Sequence, residues 1–124
     1  MKADKQKVFT LLSDILQQCV PPLAVRSQSA SRLDVYGTIN ARLLKRDFDG
    51  MYFGSAIIQK NYVALYFFPI YTHPAEFKSI PETLRKCLKG KSCFHLTTED
   101  PILMKSIEAM VKQGLKLYKK LKLV

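Results

Sequence analysis

The sequence predicts an α+β fold in which helices pack mainly on one face of an antiparallel β-sheet. Three observations carry that expectation. Amphipathic helical patterns stand at the two ends of the chain, and two strand-like runs stand in the middle. The connection between those runs is far too short for a parallel crossover. The expected order is α-β-β-β-α-β-α, within a single domain spanning residues 1–124.

Each element has its own warrant. Val8, Leu11, Leu12, Ile15, Leu16 and Cys19 recur at helical spacing until Pro21-Pro22 stops the pattern, giving a first helix over about 4–19. Arg26 to Arg32 reads as a polar connector, and Leu33, Val35 and Gly37 alternate as a strand does. Residues 40–50 give no clear pattern, although Asp49-Gly50 marks a turn. Then MYFGSAIIQ, Lys60-Asn61 and YVALYFFP read as a hairpin. Pro69 ends its second strand, and YTHPAEF reads as a loop. Ser79 and Glu82 form a capping box opening a short helix to about Leu88 or Lys89, with Gly90 as its stop. SCFHL is a short strand. A last helix runs from about Pro101 to Lys120, capped by Thr98 or Asp100, with Gly114 in its apolar row marking a close approach to a neighbour.

A two-residue hairpin turn pairs Ile57 with Ala64, Ser55 with Tyr66 and Phe53 with Phe68. One face of the hairpin is then aliphatic and suited to lie under helices. The other carries Phe53, Tyr62, Tyr66 and Phe68 around the small Ser55 and Ala64. Two readings of that face stand side by side. It floors a ligand pocket or a dimer interface, or it is ordinary strand preference covered by the first helix or a loop.

Charge is the unusual feature of the composition. Twenty Lys and Arg against ten Asp and Glu give a formal net charge of +10. Lys112, Lys116, Lys119 and Lys120 crowd the end of the last helix, where cations also complement the helix dipole. As a polyanion site, for nucleic acid or an anionic surface, that stripe lacks arginine forks and interleaved aromatics, so it is the alternative and not the leading reading. The weakly charged run from Gly50 to Ala75 is long enough to span a membrane. Lys60-Asn61 near its middle makes a hairpin the better account, and no membrane span is expected. Three cysteines without a C-x-x-C, and a start lacking a continuous apolar leader, point to a reducing, cytoplasmic setting.

The run Lys60-Asn61-Tyr62-Val63, Tyr66, Pro69-Ile70-Tyr71, followed by Gly90-Lys91-Ser92-Cys93-Phe94, resembles the YdhG-like family of small bacterial domains, largely of unknown function. The likeness covers most of residues 50–120. It implies helices against an antiparallel sheet and a distant frataxin-like relationship, one branch of which is described as an iron chaperone. Iron delivery of that kind calls for acidic surfaces, and the carboxylates here are few and scattered, so that role is not expected.

Other chemistry is weaker. Gly90-Lys91-Ser92 looks like the end of a phosphate-binding loop, but Arg85 stands where the motif needs a glycine. What survives is a small-anion rim at Lys91 and Ser92. Cys93 and His95 share a strand face, yet nothing supplies an orienting partner or an oxyanion site for a cysteine-dependent enzyme. Cys93, His95, His73 and Glu76 do not match a zinc spacing. The expectation is therefore a non-enzymatic binding or interaction module without cofactor. A small molecule or a protein chain, a second copy included, would be met on Phe53, Tyr62, Tyr66 and Phe68 with Lys91 and Ser92 at the rim.

Overall fold

A computed structural model describes residues 4–124. The first apolar stripe winds into α1 (Lys5–Gln17), whose Asp4 carboxylate accepts the Gln6 backbone N–H at 2.9 Å. There follow β1 (Ala24–Gln28), β2 (Arg32–Tyr36), β3 (Asn40–Leu43), β4 (Arg46–Asp49), β5 (Tyr52–Ile58) and β6 (Val63–Phe67). The chain continues through α2 (Phe68–Thr72), a 3-10 turn (Pro74–Phe77), α3 (Glu82–Arg85), β7 (Leu88–Lys89), β8 (Cys93–Leu96) and α4 (Pro101–Lys120). Six strands form one sheet in the order β1-β2-β5-β6-β8-β7, every pairing antiparallel, and β3 with β4 forms a separate hairpin.

The class is the expected one and the element order is richer. The polar connector Arg26 to Arg32 holds the second half of the edge strand β1, the turn after it and the first residue of β2. The outer side of β1 meets no partner strand and Arg26 bulges from its pairing with β2, so no alternation marks it. The patternless stretch is the β3–β4 hairpin. The YTHPAEF loop is the end of α2, His73 and a 3-10 turn. The capping box does not form: Pro81 is the N-cap and makes no side-chain bond, so Glu82 opens α3 and cannot reach back from its third position. α3 is a single turn, and Gly90, at φ 86°, turns the chain between β7 and β8 and does not stop a helix.

The hairpin register is as expected, with Ser55 opposite Tyr66 and Ile57 opposite Ala64. One side chain breaks the pattern. Val35 pairs with Gly54 but Tyr36 pairs with Tyr52, so Phe53 is an extra residue in β5 and turns to the opposite side from its expected one. Phe53 is fully buried, edge-on to Phe67 at 5.7 Å and to Tyr118 at 6.0 Å. Phe68 leaves the strand as the first residue of α2, so the expected Phe53–Phe68 pair does not exist.

Leu33, Val35, Ala56, Leu65, Phe67 and Phe94 point to one face of the sheet. They form a single core with Val8, Leu12 and Leu16 of α1 and Ile107, Val111 and Tyr118 of α4. A Cβ on Gly114 would strike the Phe67 ring and lie 3.1 Å from Pro69, so α4 approaches β6 as closely as a glycine permits. Among the described residues no helix is long and apolar enough to cross a membrane.

Candidate binding face

Residues alternate across a strand, so the side chains between the core positions emerge on the other face of the sheet. One row of registered neighbours crosses all six strands: Ser27, Asp34, Ser55, Tyr66, Cys93 and Lys89. A second row runs Arg32, Ile57, Ala64 and His95. Tyr52, Ile57, Tyr62, Tyr66, Phe68, Cys93 and His95 are all half-buried, whereas the facing core positions are closed.

A polar network anchors the centre. Asp34, only 8% exposed, accepts the Ser55 hydroxyl at 2.5 Å and the Arg32 Nε–H at 2.9 Å. The Tyr52 hydroxyl lies 2.6 Å from Ser55 Oγ. A carboxylate only accepts, so the Ser55 proton points to Asp34 and Ser55 receives the Tyr52 proton. Burial, more than the bond to Ser55 relieves, pushes the Tyr52 phenol well above its ordinary range, so it stays neutral. The network fixes ring positions and neutralises the carboxylate with Arg32.

Along one end of this face the aromatic rings form a continuous row. Tyr36 and Tyr52 lie 5.0 Å apart, Tyr52 and Phe68 5.5 Å, and Phe68 and Tyr71 5.5 Å, at interplanar angles of 58°, 59° and 30°. The first two contacts are too tilted for one ring to cover the next. Arg26 closes the row: its guanidinium sits 4.3 Å from the Tyr36 centroid, and Nη2 donates to the Asp49 carbonyl at 2.6 Å. Gly50, at φ 88°, makes room for it, because a Cβ there would strike that same Nη2. At the far end Tyr71, 44% exposed, enters a cavity of about 380 Å³ with Pro74, Arg85, Leu88 and Lys91. Arg85 is held there by donating to the Phe77 carbonyl at 2.7 Å.

Tyr62, Tyr66 and Phe68 therefore belong to the open side, and Phe53 does not. Tyr62 stacks on His95 with centroids 3.8 Å apart. Lys91 borders the cavity at Tyr71, while Ser92 contributes its carbonyl to the Phe67 N–H at 2.9 Å. Burial pushes the Cys93 thiol up, with the Tyr66 hydroxyl pulling it partly back, a net direction opposite to nucleophile activation. Lys112, Lys116, Lys119 and Lys120 are exposed on α4, the helix that packs on the core face, so they do not join the aromatic side chains. Lys112 is paired with Glu108 at 3.6 Å.

Sequence reasoning missed Tyr36, Tyr52, Tyr71, Arg26, Asp34 and Arg85 as members of one surface. Asp34 and Tyr36 had a usable signal, since both alternate with the apolar Leu33 and Val35. Arg26, Tyr71 and Arg85 are brought in by the edge-strand bulge, the α2 turn and the α3 turn, none of which leaves a periodic trace. No family model, curated protein or solved structure matches the chain. The fold and face define an α+β protein with an antiparallel sheet, helix-covered on one side.

Proposed function

We propose that the chain, which resembles YdhG-like domains in sequence, is a non-enzymatic binding module that meets its partner on the aromatic sheet face. The observation that carries this is the contrast in cover: α1 and α4 close one face of the sheet, and the other keeps rings half-exposed around an ordered polar network. Tyrosine suits such a surface because it offers large area and a hydroxyl at small entropic cost. The free thiols of Cys19, Cys87 and Cys93 fit a cytoplasmic setting.

Tyr66→Ala tests the reading, because Tyr66 stands in the middle of the face and outside the core. The variant is expected to keep its circular dichroism spectrum and to lose either dimer mass in light scattering or a ligand-induced thermal shift. Unchanged mass together with an unchanged response across a small-molecule thermal-shift screen would remove the reading.

A further inference from the structure

The ring row and its cations deepen that binding reading, on which this inference rests. We propose that the occupant is a single-stranded nucleic acid, its bases stacked along Tyr52, Phe68 and Tyr71, and its phosphates held at one end by Arg26, which caps Tyr36, and at the other by Arg85 and Lys91. Four features of the surface converge on that chemistry. The rings are spaced 5.0–5.5 Å apart in a row along the sheet face, half-buried at Tyr36, Tyr52 and Phe68 and exposed at Tyr71, a platform for successive planar groups and not an enclosed slot for one. Cations stand at both ends, and two are held in place by backbone carbonyls before any ligand arrives: Arg26 on Asp49 and Arg85 on Phe77. The carboxylate in the registered rows, Asp34, is paired with Arg32 at 2.9 Å, which offsets its repulsion of an anion at the centre of the face. The chain as a whole carries +10, which draws polyanions and opposes a second copy of itself.

The geometry also selects the form of the nucleic acid. A helix-backed antiparallel sheet that presents rings on its open side takes unpaired bases, which can splay out and stack on it. In a duplex the bases already stack on one another, and the rings have nothing to meet. The cavity beside Tyr71, about 380 Å³ between Arg85, Lys91 and Leu88, gives one end of the strand a recess for a terminal base or phosphate. The lysine stripe of α4 plays no part, for it lies in the helical layer on the other side of the sheet.

The test is fluorescence anisotropy of the full chain with labelled mixed-sequence 12-mers: single-stranded RNA, single-stranded DNA and the corresponding DNA duplex. Titrations run at 50 and 200 mM salt. At least one single strand is expected to bind more tightly than the duplex, with affinity falling as salt rises. Tyr71→Ala, at an exposed ring, is expected to weaken the single strand roughly tenfold or more, and Tyr71→Phe to restore it. Lys91→Gln is expected to lower both the affinity and the salt slope. A combined Lys112→Gln, Lys116→Gln, Lys119→Gln variant should lose less than Tyr71→Ala does. Equal binding of duplex and single strand, or loss in the triple-lysine variant with none in Tyr71→Ala, overturns the inference. Failure of every oligonucleotide to bind overturns it too. If Tyr66→Ala then still changes mass or thermal shift, the face binds something else and the broader binding reading survives. If it changes neither, both fall together.

Discussion

The two faces of the six-stranded sheet are built from the same strands and obey opposite rules. On the helix-covered face, Leu33, Val35, Ala56, Leu65, Phe67 and Phe94 are all closed to solvent, and none of them carries a polar side-chain atom. On the other, Asp34, Ser55, Tyr52 and Arg32 are joined by hydrogen bonds and surrounded by half-exposed rings. A strand residue changes rules when it changes sides, so one bulge suffices to move an aromatic ring from the open face to the core. Phe53 made that move, and Tyr52 took the place expected for it.

The sharpest way to break the comparison is to treat Phe53 and Tyr66 alike. Phe53→Ala empties a closed site between Phe67 and Tyr118, and should cost about 3–5 kcal/mol in urea denaturation. Tyr66→Ala removes a half-exposed ring and should cost under about 1.5 kcal/mol. A small loss at Phe53 would mean that β5 runs without its bulge, with Phe53 on the aromatic side where strict alternation puts it.

That pair of residues also marks what was legible in the sequence. The hairpin register could be read because Lys60-Asn61 sits between two long apolar runs, and the period of two then assigns every partner. The bulge could not, because it depends on how β2 meets β5 and leaves no local mark in MYFGS. The α4 boundaries were legible from its capping Asp100, its period and the lysines that close it, and Gly114 announced its close contact with Phe67. The β1 edge strand was not, since exposed Arg26, Ser27 and Gln28 bury nothing that would set a period. Of the rings on the open face, Tyr62 and Tyr66 followed from the hairpin register, whereas Phe68 reaches it from the first turn of α2. The row that links Tyr36 to Tyr71 needed three separate elements to converge, which no single window of sequence contains.

A smaller effect tests the seam where the layers meet at α2. The Tyr118 hydroxyl, on a fully buried ring, lies 2.6 Å from Thr72 Oγ1, and burial pushes its pKa up to about 12. The folded protein thus holds a proton that the unfolded chain releases near pH 10. Stability from this group is whole below pH 10 and drains away as pH rises from 10 through 12. Tyr118→Phe keeps the ring and removes the bond, so it should cost about 1 kcal/mol at pH 7 and then lose less than the parent over that alkaline window. Thermal melts at pH 7, 10 and 11.5 check both parts. Equal alkaline losses in the two proteins would mean that another group carries that dependence.

The smallest expected effect concerns the β3–β4 hairpin, which lies outside the six-stranded sheet. Its two-residue turn places Leu44 at φ 55° and Lys45 at φ 63°, both left-handed and neither glycine nor asparagine. Residues with a Cβ are held there at a cost of roughly 1–2 kcal/mol each. Lys45→Gly relieves that cost at one position while adding freedom to the unfolded chain, so the net gain should be about 0.5–1 kcal/mol. Denaturant midpoints of parent and variant measure it. Lys45 lies outside the ring row, so a neutral turn substitution should leave oligonucleotide affinity unchanged beyond the small effect of losing one charge. A large loss of binding in Lys45→Gly would instead carry the binding surface past Arg26 and onto this hairpin, and the boundary drawn between face and appendage would have to move with it.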